Sequence, residues 1–175
     1  MPPEILFRED QQFRQPILWI VLLSVSAFCI GTIVWMISRQ VLQGIPFGED
    51  AMSNDQMVAL GATIVALNAF ILWLLHAMKL QTEVTEAGLF VLFKPIHRKT
   101  RKIDLSGVTS VASVKYRPAM EYGGWGIRRG RRGMAYNVSG DLGVRIDYEN
   151  GYHLLIGTRY PEELKAAVDR CMAAR

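Results

Sequence analysis

The strongest constraint on this chain is a pair of uncharged apolar runs, residues 17–37 and 57–78, each of about 20 residues. At ~1.5 Å rise per residue, such a run makes about 30 Å of helix, the thickness of a bilayer's hydrocarbon core. Neither run contains Asp, Glu, Lys or Arg, and apolar residues occupy every side of the helix instead of one stripe. Two such runs joined by a short polar loop predict a transmembrane hairpin, not a pair of buried core helices. A cleavable signal peptide does not fit. The first run is too long for an h-region, Glu9 and Asp10 flank it, and no small-residue cleavage site precedes Arg39.

The hairpin divides the chain. Residues 1–16 form a mixed-charge arm ending in Pro16, a residue suited to the first turn of a helix. Residues 38–56 form the loop between the spans, with Gly44, Pro46 and Gly48 favouring irregular backbone and Ser53 or Asn54 placed to cap the second span. The 97 residues from 79 to 175 suffice for one small domain with its own core.

Charge sets the expected orientation. Residues 1–78 hold three basic and six acidic residues, whereas residues 79–175 hold seventeen basic and ten acidic. The loop carries Arg39 against Glu49, Asp50 and Asp55. Arg8 and Arg14 precede the first span, and Lys79, Lys94, Arg98, Lys99, Arg101 and Lys102 follow the second. Basic flanks are retained on the cytoplasmic side, so both termini are expected there, with the acidic loop outside. Trp19, Trp35 and Trp73 lie near span ends, the depth that indoles prefer. Cys29 and Cys171 are expected neither to pair nor to bind metal.

Beyond Lys79 the apolar period changes from helical to alternating. Strands are expected at 80–86, 89–93, 101–105, 108–116, 135–138, 144–148 and 152–156, with a tight turn at 86–88. Asn150-Gly151 signals a two-residue hairpin with positive φ at both turn positions. Residues 161–172 read as an amphipathic helix, with Pro161 in its first turn and Leu164, Ala167, Val168, Cys171 and Met172 on one face. The predicted fold class is therefore α+β. A two-helix transmembrane hairpin precedes a small antiparallel β-barrel or sandwich plugged by the C-terminal helix, which is the outline of a pleckstrin-homology (PH-like) fold and, on pattern alone, of other small β-barrels that end in a helix.

Three stretches add a resemblance. Phe7-Arg8-Glu9 with Phe13-Arg14-Gln15, then Tyr122-Gly123-Gly124-Trp125-Gly126-Ile127-Arg128 leading into Tyr136-Asn137-Val138-Ser139-Gly140, then Leu155-Ile156-Gly157-Thr158-Arg159 with Pro161-Glu162-Glu163-Leu164. Together they resemble bacterial two-span proteins that carry a PH-like domain, over nearly the whole chain. The resemblance implies a PH-like fold and a bacterial cytoplasmic-membrane location. It implies no particular activity.

Residues 122–133, YGGWGIRRGRRG, form the most unusual segment. Its glycines let the main chain approach a ligand closely. Arg128, Arg129, Arg131 and Arg132 carry planar charged forks that suit phosphate, and Trp125 has an amphipathic ring of the kind found among headgroups. This predicts a site for anionic lipid headgroups or a protein partner. The alternative is a solvated basic hairpin that only orients the domain. Nucleic acid is not expected, because a membrane anchor restricts access and four arginines with one tryptophan are a weak signature. The glycine pattern is neither a P-loop nor a dinucleotide fingerprint.

His76, His97 and His153 are far apart in sequence and are expected to be structural, and Ser139-Gly140-Asp141 reads as a turn. No catalysis and no cofactor are expected. Within the spans, Asn68 is expected to seek an interhelical hydrogen bond, and Ala27 with Gly31 and Ala62 with Ala66 offer small faces for close packing. Those faces serve the hairpin itself, a larger membrane complex or a homo-oligomer. The functional expectation is a non-catalytic binding module at the cytoplasmic membrane surface. A structural or accessory subunit of a membrane complex is the alternative.

Overall fold

The computed structural model describes residues 4–46, 52–130 and 133–174. The chain forms two units. One is Arg14–His76, and the other is assembled from both ends of the chain, Met1–Phe13 with Ala77–Arg175.

The apolar runs are helices. α1 spans Pro16–Ile37, with Pro16 in its first turn, and continues as a π-helical turn over Ser38–Leu42. α2 spans Asn54–Ala77. Both are long and apolar enough to cross a membrane by length and composition. Their side chains are largely uncovered by protein: Ile17 and Phe28 are each 76 % exposed. A reciprocal cap opens α2, in which the Gln56 amide N–H donates to Ser53 Oγ and the Ser53 amide N–H to Gln56 Oε1.

The two helices are in close contact at Gly61. A Cβ there would stand 2.9 Å from Ile33 Cγ2 and 3.0 Å from Ile37 Cδ1, so a larger residue would force those side chains to shift. Trp19 meets His76 edge-on at one end of the pair. At the other, Gln40 Nε2 donates to the Met52 carbonyl and to Asn54 Oδ1.

The second unit contains two sheets. In the first, β1 (Ile5–Gln12), β2 (Lys79–Thr85), β3 (Gly88–Lys94) and β4 (Arg101–Ile103) are antiparallel neighbours in that order. The second has the order β5-β8-β9-β7-β6, made of β5 (Val108–Lys115), β6 (Gly126–Arg129), β7 (Gly133–Asn137), β8 (Leu142–Tyr148) and β9 (His153–Gly157). A short helix, α3 (Pro118–Tyr122), joins β5 to β6, and α4 (Pro161–Ala173) follows β9.

Three expectations need correction. The sheets do not close into a barrel. β4 ends after three residues, and residues 104–107 lead to β5 in the other sheet, so the ladder does not continue between them. Nor is every pairing antiparallel. The β6–β7 hairpin enters beside β9, and β7 runs parallel to it from Gly133↔His153 to Tyr136↔Ile156. The N-terminal stretch is also not merely an arm, because β1 pairs with β2 from Ile5↔Thr85 to Gln12↔Lys79. A smaller difference concerns Asn150-Gly151. Only Gly151 takes positive φ, and Tyr148 bonds Tyr152 across a three-residue connection.

The core lies between the sheets and α4. Leu80, Val84, Leu89, Val91 and Phe93 face inward from the first sheet, and Val144, Ile146 and Ile156 are fully buried in the second. α4 packs against β1, β2 and β3 on one side and β5 and β8 on the other. It buries Leu164, Ala167, Val168 and Cys171, while Met172 is only half-buried. Full burial of one such aliphatic side chain contributes about 1.5–3 kcal/mol. Tyr116, Ala135 and Leu155 form another buried cluster, with Val114 and Tyr122 packed on it.

Candidate functional site

The tryptophan-arginine segment is built on a glycine turn. α3 ends at Gly123 with φ +69°, and Gly124 and Gly126 follow at +113° and +119°, values that side-chain-bearing residues avoid. The Gly124 N–H donates to the Pro118 carbonyl and reverses the chain. Trp125 is half-buried in this turn. Its Nε1 donates to the Gly140 carbonyl at 3.1 Å, and its ring meets Phe13 edge-on with centroids 6.4 Å apart. The Gly126 N–H donates to Asn137 Oδ1 at 2.9 Å, and Arg128 Nε returns to the Trp125 carbonyl at 3.0 Å.

The neighbours of this turn are informative. Phe13 directly follows β1 and stands three residues before Pro16, where α1 begins. Met78 separates α2 from β2, and a Cβ at Gly126 would lie 3.9 Å from Met78 Cε. The glycine-tryptophan turn therefore adjoins both residues through which the chain passes between this unit and the apolar helices.

Of the four arginines, the two that the structure describes do not form one patch. Arg128 and Arg129 are exposed on β6, where successive side chains point to opposite faces. Arg128 folds back onto the turn, with a guanidinium nitrogen 3.3 Å from where a Cβ at Gly124 would be. Arg129 pairs across the hairpin with Met134, three residues and about 10 Å further along the strand from Gly126. Arg131 and Arg132 lie outside the described residues.

Of the helix-packing residues, Asn68 is half-buried and shares the face of α2 that carries Met57, Gly61 and Ile64. Ala27, Gly31, Ala62 and Ala66 are all exposed, and a Cβ at Gly31 would have no neighbour within 4 Å. The small residue at the close approach is Gly61, which the spacing of the other four did not single out.

Sequence reasoning also missed a buried polar seam. Glu9, on the inward face of β1, accepts from Thr158 Oγ1 at 2.5 Å, from the Arg159 N–H at 3.2 Å and from Gln11 Nε2 at 3.2 Å. Gln11 Nε2 also donates to the Gly157 carbonyl at 2.7 Å. The signal was present in the first and last of the three motif stretches, which the fold brings together here. The central stretch adds Asn137, whose Cβ lies 2.9 Å from where a Cβ at Gly157 would stand.

Nearby, burial pushes the Tyr116 phenol up to about 12, and burial followed by the Glu121 charge raises that of Tyr122. The Tyr122 hydroxyl lies 3.4 Å from His153 Nε2. His97 is buried away from both, with its ring edge-on to Tyr136. Among the described residues, no three His, Cys, Asp or Glu side chains are disposed to hold a metal ion. No family model matches the chain, and no curated protein or solved structure gives a match.

Proposed function

We propose that this protein is a non-catalytic binding module of PH-like fold, anchored by α1 and α2 in the bacterial cytoplasmic membrane, that engages anionic lipid headgroups at the cytoplasmic surface. The observation that carries the reading is the position of the Trp125 turn, with its ring on Phe13 and Gly126 beside Met78. With α1 and α2 in a bilayer, connections this short hold that end of the unit at the headgroups. Each basic side chain near an anionic leaflet then contributes ~1 kcal/mol. Two sheets covered by one C-terminal helix are compatible with the PH-like assignment.

Purification of the intact chain in mild detergent, with a census of bound lipids and polypeptides, tests the proposal. Retained anionic lipid that is lost when Arg128, Arg129, Arg131 and Arg132 are all changed to Gln supports it. Unchanged lipid content in that variant contradicts it. A second reading, an accessory subunit of a membrane complex or a homo-oligomer, draws on the uncovered Ala27, Gly31, Ala62 and Ala66 faces. It requires a polypeptide that co-purifies in fixed stoichiometry and dissociates when Gly31 and Ala62 are changed to Leu.

A further inference from the structure

The turn after β3 also lies at the end of the unit from which the chain departs. Lys94 is the direct cross-strand partner of Lys79, the first residue of β2 and two residues beyond the end of α2. Opposed residues of an antiparallel pair lie about 5 Å apart, and each further residue adds at most ~3.6 Å. The Ile96 backbone is thus within about 13 Å of Lys79.

The turn itself is fixed from inside. The His97 N–H donates to the Phe93 carbonyl at 2.7 Å, the Phe93 N–H donates back to His97 Nδ1, and the buried ring stands against Tyr136. Holding His97 inward leaves its neighbours outward: Ile96 is 58 % exposed, and Lys94, Arg98 and Lys99 are all exposed. Among the described residues none of these three cations has a carboxylate within salt-bridge reach, whereas Lys79 is paired with Asp10 at 3.1 Å.

A single exposed isoleucine is ordinary on a protein surface. This one shares a pinned turn with three exposed cations that have no carboxylate partner among the described residues, beside the chain's exit to two apolar helices. Among the described residues of the same unit the most exposed large apolar side chain, Met120 at 77 %, belongs to α3, which leads directly into the Trp125 turn.

We infer that residues 94–99 form a second membrane contact, in which Ile96 inserts at the boundary between headgroups and acyl chains and Lys94, Arg98 and Lys99 meet anionic phosphate headgroups. This rests on the proposed membrane anchoring and extends it to a segment distinct from the arginine hairpin. The contact would fix which face of the unit meets the leaflet, since two points, the Trp125 turn and Ile96, would then be held at the surface.

Spin-label accessibility in the intact chain tests this. The background carries Cys29→Ser and Cys171→Ala, and labels are placed singly at Ile96→Cys, Leu67→Cys in α2 and Glu149→Cys in the β8–β9 connection. The chain is reconstituted in phosphatidylcholine vesicles with or without phosphatidylglycerol, and collisions with oxygen and with a water-soluble nickel chelate are compared. The expected result is bilayer-like accessibility at Leu67 in both lipids. Ile96 should shift from water-like to bilayer-like only with phosphatidylglycerol, and that shift should vanish when Lys94, Arg98 and Lys99 are changed to Gln. If Leu67 is bilayer-like while Ile96 matches Glu149 in both lipids, the inference fails and the anchoring stands. An Ile96 shift that is equal in both lipids overturns the assignment to anionic headgroups. Water-like accessibility at Leu67 overturns the anchoring and the inference together.

Discussion

Five of the eight residues of β1 are polar, and the two that face inward, Glu9 and Gln11, are almost fully buried. A buried carboxylate is costly unless donors replace its water, and Thr158, Arg159 and Gln11 supply them here. Glu9→Ala removes the acceptor and strands those donors, so the unit should lose roughly 2–4 kcal/mol of stability. Glu9→Gln keeps one acceptor oxygen and should cost less. Thermal melts of the two variants beside the parent check this: equal losses would mean that a neutral acceptor recovers none of the stability, and no loss in either would mean that these bonds contribute nothing. His97 supplies a pH-dependent contribution. Burial first, and then the Arg101 charge, hold its pKa below 6.5, in keeping with an Nδ1 that accepts the Phe93 N–H and must be unprotonated to do so. Because the folded value lies below the unfolded one, this stability is fully present above pH 6.5 and is lost as pH falls from there through the folded value. The melting temperature of the parent should therefore drop more between about pH 7 and pH 5 than that of His97→Gln, which keeps an acceptor without titrating. Parallel pH profiles for the two proteins would refute the assignment.

The elements differ in how plainly the sequence announces them. α1 and α2 are legible because uncharged runs of that length have few alternatives. β2, β3 and α4 are legible because their buried residues are apolar at periods of 2 and 3.6. β1 is hidden because its inward residues are Glu9 and Gln11, so alternation exists without hydrophobicity to mark it. β6 is hidden because glycine and arginine carry no burial signal, although Asn137 and the β7 ladder hold it in register. The candidate site was half legible for the same reason. Its residue types stand out, but the folding back of Arg128 onto the Trp125 turn depends on a hydrogen bond that no spacing encodes. Recovering β1 changes what an excised domain must contain. Residues 79–175 alone would expose the β2 edge and leave Thr158 and the Gly157 carbonyl without their β1 partners. That fragment should melt without cooperativity or aggregate. Joining Phe13 to Met78 through a short Asn-Gly-containing linker, in place of residues 14–77, should restore a cooperative transition, because Gln12 and Lys79 are already paired. A cooperative melt from residues 79–175 alone would show that β1 is dispensable.

At the scale of the whole molecule, charge and connectivity favour the same arrangement. Both ends of the apolar hairpin lead into one unit, so its two connections lie on the same side of any bilayer that α1 and α2 cross. The basic residues concentrate in that unit, seventeen of them between residues 79 and 175, whereas Glu49 and Asp50 precede α2 in the sequence and Asp55 lies in its first turn. For a chain whose α1 and α2 cross a membrane, retention of basic flanks predicts the unit and both termini on the cytoplasmic side and the inter-helix loop outside. Single cysteines in a Cys29→Ser, Cys171→Ala background test the arrangement with a membrane-impermeant maleimide on intact cells. Met52→Cys is suited to the loop, being 43 % exposed, with its carbonyl rather than its side chain bonded to Gln40. Gly130→Cys is suited to the segment after β6, since among the described residues a Cβ there would meet only the Gly133 carbonyl, at an ordinary 3.7 Å. Met52→Cys should label before permeabilisation and Gly130→Cys only after it. Labelling of Gly130→Cys in intact cells would invert the topology and put the cations of residues 94–99 on the wrong leaflet for the proposed contact. Labelling of neither site before permeabilisation, with both labelled after, would mean that α1 and α2 do not cross the membrane at all.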